Sequence, residues 1–273
     1  MEWFEAIILG MVQGLTEFLP VSSSGHLEIG KVLLGVDIQK DTMTMFSVMV
    51  HAATVLSTIL VFRKQIWGLL KGFFRFQYND QTDYLFKIAV SMIPIMIVGL
   101  WFKDDVEALF GSIKVVGFAL LLTSALLFFS DFASRPGKAL KNASCADGTR
   151  NGISYWQAFV VGLSQALAVI PGLSRSGTTI STGLICGVRR DVMAQFSFLM
   201  VLIPILGESF LELVGGKFSA SSVGTLPLVL GFLSAFVSGL FACKVMVALV
   251  KKARLSWFAI YCLIAAVSIF IFA

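Results

Sequence analysis

The stretch AIILGMVQGLTEFLPVSSSG, Ala6–Gly25, returns 152 positions later as AFVVGLSQALAVIPGLSRSG, Ala158–Gly177. Gly10 meets Gly162, Gln13 meets Gln165, Leu15 meets Leu167, Ser22 meets Ser174, Ser24 meets Ser176 and Gly25 meets Gly177. A weaker echo follows in each half, FSVMV at Phe46–Val50 and FSFLM at Phe196–Met200. Such self-similarity marks one structural unit used twice. The reading is a single membrane domain over 1–273, with one repeat at about 1–131, a second at about 154–273 and a basic loop at 132–153 between them. In each copy the quoted apolar segment is short and broken by Pro, Gly and Ser, as PVSSSG at Pro20–Gly25 and PGLSRSG at Pro171–Gly177. Non-helical backbone at membrane depth survives only where it is buried in protein or lines a wet cavity. Matching breaks in two halves point to a binding site where the halves meet, so each segment is read as a re-entrant hairpin followed by three spans.

The rest of the chain fits that frame. Of 273 residues, 57% are hydrophobic and only 14% charged, against about a quarter charged in soluble domains. Apolar runs near Met45–Phe62, Tyr84–Phe102, Ile113–Ser130, Met193–Val214, Leu226–Val250 and Trp257–Ala273 are each about the length of a membrane crossing. The expected fold is an all-α integral membrane protein of six transmembrane helices plus two re-entrant helical hairpins. A hairpin returns to its own side and three spans do not, so the second copy enters the membrane upside down, as an inverted-topology repeat. With the loop after the first span cytoplasmic, fifteen of the 21 Lys and Arg residues fall on the cytoplasmic side and five opposite, Arg175 lying in the second hairpin. The positive-inside tendency favours this orientation, which puts both termini and the mouth of the first hairpin in the periplasm. The start MEWFE carries acids where a secretory signal carries positive charge, so no cleaved leader is expected. Cys145, Cys186, Cys243 and Cys262 show no metal or disulfide spacing and read as packing residues. The net charge of +5 reflects basic loops, with no basic run interleaved with aromatics for nucleic acid.

Ionisable groups inside apolar segments are costly and are functional candidates by default. Arg175 sits among Ser174, Ser176, Gly177, Thr178 and Thr179 at what reads as a helix start. A planar guanidinium with free N–H groups suits phosphate; alternatively the arginine caps backbone carbonyls. Glu17 follows Gln13 by four residues, one helical turn, so the two can jointly hold a divalent cation or a water. Glu17 can equally pair with Arg175. His26, after three serines and a glycine, is a candidate acid or base, with Ser22 and Ser23 candidate nucleophiles and a metal-activated water an equal alternative. His51 in the first span reads more readily as an interhelical hydrogen-bonding group. Glu208 and Glu212, one turn apart, line the cavity or reach the headgroups.

Together QGLTE, VSSSGH and PGLSRSGTT resemble the undecaprenyl-diphosphate phosphatase family, the bacitracin-resistance family of bacterial inner membranes. The likeness covers essentially the whole chain. It implies hydrolysis of undecaprenyl diphosphate to undecaprenyl phosphate and inorganic phosphate, which recycles the lipid carrier for peptidoglycan and gives bacitracin resistance, since bacitracin competes by binding the same lipid. It implies an active site facing the periplasm and a divalent cation, magnesium or calcium, held by Glu17 with Gln13. By analogy with phosphoryl transfer in general, Ser22, Ser174, Arg175, Ser176, Gly177, Thr178 and Thr179 are expected to cradle the terminal phosphate, with His26 activating Ser23 or a water. A homodimer is compatible with all of this. Many family members carry Glu where this chain has Gln13, which weakens a two-carboxylate cation site. The rival readings are an inverted-repeat transporter or flippase of a prenyl phosphate lipid, and the type-2 phosphatidic acid phosphatases, whose histidine after the SR pair is absent from Thr178–Val188.

Overall fold

The computed structural model describes residues 1–36, 40–109, 112–134, 150–214, 224–252 and 254–272, and all their regular structure is helical. The middle of the basic loop, 135–149, and the side chains of Glu208 and Glu212 lie outside the described residues. The first half runs α1 (Trp3–Phe18), α2 (Ser23–Leu34), α3 (Lys40–Val61), α4 (Arg63–Phe73), α5 (Asp80–Trp101), α6 (Lys103–Leu109) and α7 (Ile113–Ala133). After a 3₁₀ turn at Arg150–Gly152 the second half runs α8 (Tyr155–Leu167), α9 (Arg175–Ile185), α10 (Arg190–Met200), α11 (Leu202–Val214), α12 (Thr225–Lys252) and α13 (Ser256–Phe272).

Among the described residues five helical stretches are long and apolar enough to cross a bilayer: Thr42–Val61, Asp80–Trp101, Ile113–Ala133, Arg190–Leu211 and Thr225–Val250. The sixth expected span corresponds to α13, which is apolar throughout but has 17 residues, about 25 Å of helix against a hydrocarbon core of about 30 Å. The fourth stretch is interrupted between α10 and α11 because Pro204 cannot donate to the Met200 carbonyl four residues back and its ring crowds that oxygen. Large apolar side chains such as Trp101, Trp257, Phe241 and Ile271 stand exposed on the outside, as expected where lipid replaces water.

Packing follows small residues. Lipid tails are as apolar as leucine, so close backbone approach holds membrane helices together. Helix α1 lies along α12, and a Cβ on Gly10 would fall inside the Gly231 carbonyl oxygen. Helix α8 lies along α5, and a Cβ on the matching Gly162 would fall inside the Ser91 carbonyl oxygen. Each hairpin's first helix therefore packs on a long helix of the opposite half. Helices α7 and α13 pack on each other, α12 also on α3, and α9 on α7. The two hairpin turns are thereby pressed together in the interior.

Candidate active site

Both turns are built alike. Leu19, before Pro20, is extended at φ −75°, ψ 143°, as sterics before a proline require, and this ends α1. Ser22 then caps α2 by accepting from the Gly25 N–H at 3.2 Å, and Ser174 caps α9 by accepting from the Gly177 N–H at 3.1 Å. The N-termini of α2 and α9, where anions are favoured, thus both open at the junction of the hairpins. Ser22 sits at φ 72°, a left-handed conformation that costs a residue with a Cβ about 1–2 kcal/mol. The turns also grip each other: the Gly172 N–H donates to Ser24 Oγ at 3.4 Å and Ser176 Oγ donates to the Leu19 carbonyl at 3.1 Å. Gly172, at φ 91°, has no room for a Cβ against the Val116 backbone.

Glu17 is the hub. Its side chain is 9% exposed, and Oε2 accepts from Gln13 Nε2 at 2.9 Å and from Ser23 Oγ at 2.6 Å. Oε1 lies 3.7 Å from Arg175 Nη1. The single-turn spacing of Gln13 and Glu17 and the Glu17–Arg175 pairing both appear as the sequence suggested. Arg175 Nη1 is buried, yet no hydrogen bond reaches it, so the guanidinium is paired with a carboxylate and still has donors to spare. A cavity of about 20 Å³ opens between Glu17, Arg175, Thr54, Thr58 and Ser197. The larger cavity, of about 340 Å³ among Gln65, Asp80, Asn151 and Gln195, takes in none of the residues singled out above.

Ser23 is placed differently from expectation. Its hydroxyl meets Glu17, whereas His26 turns back along α2: Nδ1 lies 2.7 Å from the Ser22 carbonyl and Nε2 2.6 Å from Tyr261 Oη. The imidazole stacks on the Tyr261 ring with centroids 5.5 Å apart. Of the remaining hydroxyls, Thr179 Oγ1 pairs with Ser197 Oγ at 2.7 Å, and Ser174 Oγ lies 3.4 Å from Ser176 Oγ. Thr178 Oγ1 is buried without a partner. The Ser174 N–H donates to Thr123 Oγ1 at 3.1 Å. Two contributors escape the sequence reading: Thr123 and Tyr261 carry no local signal, since their partners lie far away in the chain. His51, expected to be an interhelical hydrogen-bonding group, has its Nε2 3.6 Å from Glu17 Oε2 on another helix. Among the described residues no three His, Cys, Asp or Glu side chains gather around one point.

Comparison with known proteins matches residues 6–268 to the family model described as bacitracin resistance protein BacA. An undecaprenyl-diphosphatase of Bacteroides fragilis is 51% identical over 271 residues, covering 98% of this chain and 97% of the relative. One from Parabacteroides distasonis is 52% identical over 269 residues, covering 97% and 96%. One from Korarchaeum cryptofilum is 35% identical over 279 residues, covering 98% of both.

Proposed function

The chain belongs to the bacitracin resistance protein BacA family, and we propose that it is an undecaprenyl-diphosphatase, a multi-pass membrane hydrolase that cleaves undecaprenyl diphosphate to undecaprenyl phosphate and inorganic phosphate. The observation that carries the chemistry is the meeting of Glu17 from the first hairpin with Arg175 from the second at one small cavity, with Ser23 Oγ hydrogen-bonded to Glu17. Phosphoryl transfer asks the protein chiefly to position the groups and to neutralise charge on the equatorial oxygens. Arg175, with unspent donors, is suited to grip the terminal phosphate. As the diphosphate enters, Arg175 trades Glu17 for phosphate, and the freed carboxylate takes the proton of Ser23 Oγ, already 2.6 Å away. Ser23 Oγ then attacks the terminal phosphorus, the bond to the bridging oxygen breaks, and undecaprenyl phosphate leaves. Water hydrolyses the phosphoserine and regenerates the hydroxyl. Attack by a water held on Glu17 in place of Ser23 gives the same products in one step. Ser22, Ser174, Ser176, Gly177 and Thr179 shape the cradle through the contacts they make with each other and with the opposite turn. His26 keeps an acid–base role through Nε2, the nitrogen facing Tyr261.

A divalent cation fits beside Glu17: Gln13 is fully buried and its Oε1 has no donor, an acceptor that a cation would satisfy. Gln13 and Glu17 would hold it, and when bound it would neutralise the diphosphate oxygens. We further read the chain as two inverted copies, 1–131 and 154–273, in a bacterial inner membrane with both termini and the site facing the periplasm. The reciprocal packing of α1 on α12 and α8 on α5 supports the inversion. The charge asymmetry of the loops supports the orientation. Phosphate release from undecaprenyl diphosphate by protein purified in detergent is the test. Arg175→Ala should lower the rate about 10²–10³-fold, and a chelator should abolish it reversibly. Absence of release from folded wild type supplied with cation overturns the phosphatase and leaves a transporter of the same lipid.

A further inference from the structure

We infer that His51 is a side-chain ligand of the cation, with Glu17. This rests on the cation reading above. His51 projects from α3 with a side chain 15% exposed, and its Nε2 stands 3.6 Å from Glu17 Oε2. The other ring nitrogen is fixed, because Nδ1 lies 2.7 Å from the Ser47 carbonyl oxygen and must donate to it. In the neutral ring the lone pair is then on Nε2, facing the carboxylate. Two acceptors held that way repel each other unless a proton or a cation lies between them. Ligand bonds of about 2.1 Å to nitrogen and to oxygen reach comfortably across such a gap. The carbonyl behind Nδ1 is the kind of outer contact that orients a metal-bound imidazole.

Two further observations fit a cation between these groups. The fully buried Gln13, whose Nε2 donates to the same Oε2, leaves its Oε1 without any donor. A proton shared by Glu17 and His51 would do nothing for that orphan, whereas a cation can take it as a third ligand. The second observation is in the sequence. At the repeat offset of 152 Glu17 becomes Val169, and at the offset of 150 joining Phe46 to Phe196 His51 becomes Val201. The carboxylate and the imidazole are thus present together in one copy and replaced together by valine in the other, which fits two groups serving one ligand.

With Gln13 uncharged, the histidine adds a nitrogen donor to the oxygens of Glu17 and Gln13, and neutral imidazole is a common ligand of divalent metals.

The test uses full-length protein in detergent micelles with Mn²⁺ as the probe, bound ion being counted by electron paramagnetic resonance and nitrogen coupling by electron spin echo modulation. The chain has 2 histidines, so ¹⁵N-histidine labelling with His26→Gln and His51→Gln identifies any coupled ring. Wild type should bind Mn²⁺ and show histidine coupling, which His26→Gln should keep. His51→Gln should lose the coupling yet still bind Mn²⁺, about tenfold or more weakly, which also shows that the variant is folded. Mn²⁺ bound in a Glu17-dependent way without histidine coupling, or with coupling lost in His26→Gln instead, overturns the role of His51 and leaves the cation reading standing. Binding that is absent, or indifferent to Glu17→Gln, overturns the cation reading and this inference with it.

Discussion

Ser22 and Ser174 cap their helices through N–H groups three residues on, Ser24 and Ser176 each bond across to the opposite turn, and Gln13 and Gln165 are both fully buried with an unpartnered Oε1. The two hairpins share a scaffold of capping and cross-turn bonds, although Ser24 accepts its cross-turn bond and Ser176 donates its own, and Ser22 alone sits at positive φ. The chemistry is divided between them. Glu17 faces Val169 in the pairing, His51 faces Val201, His26 faces Thr178, and Ser23 faces Arg175. The first copy carries the carboxylate, the hydroxyl and both histidines; the second carries the guanidinium. Neither copy alone has both an anion grip and a base, so the reaction depends on the close approach of the turns and on each copy remaining unlike the other.

The sharpest way to break that division is to make the first copy resemble the second. Glu17→Val removes the partner of Ser23 and Arg175, and phosphate release should fall at least about 10³-fold, while Val169→Glu in the same background should restore nothing because no serine matches Ser23 there. Recovery of activity in the double variant would mean that the halves are interchangeable. Next in size is the shared scaffold. Gly10→Ala and Gly162→Ala each push a methyl group into a carbonyl of the opposite half. Each should cost about 1–3 kcal/mol, read as similar losses of thermal stability in detergent. A large loss at one glycine and none at the other would contradict the equivalence of the two packings.

The repeat, the breaks and the candidate groups at Gln13, Glu17 and Arg175 were legible because they depend on local chemistry: Pro20 and Pro171 stop helices wherever they occur, and a four-residue spacing puts two side chains on one helix face. Ser23 meets Glu17 and not His26 for a physical reason. His26 is near it in sequence, but α2 begins at Ser23, and a histidine on the first turn folds back to the capping carbonyl of Ser22. Glu17, before the break, is the residue the hydroxyl meets. Tyr261 and the partner of His51 are not legible because both contacts are tertiary, and nothing in the spacing of a span says which neighbour it will touch. The interruption at Val201 had a local cause in Pro204, yet the apolar run alone reads as one uninterrupted helix.

The smallest effect comes from the last helix of each copy, its third expected span, which supports the turn of the other: Thr123 on α7 accepts from the Ser174 N–H, and Tyr261 on α13 bonds His26 Nε2. A net hydrogen bond is worth about 0.5–1.5 kcal/mol, so Tyr261→Phe, which keeps the stacked ring and removes the hydroxyl, should change phosphate release by about two- to tenfold. The sign carries the information. If Tyr261 only holds His26 in place, the rate falls and KM rises with it. If the hydroxyl occupies the nitrogen that must act on substrate, its removal frees Nε2 and kcat rises at unchanged KM. His26→Gln separates the cases, since a tyrosine acting through His26 has no effect left to exert once the imidazole is gone. A Tyr261→Phe change of equal size in the His26→Gln background would show that the tyrosine serves the lipid cleft directly, and the reciprocity between the two last helices would then be one of packing alone.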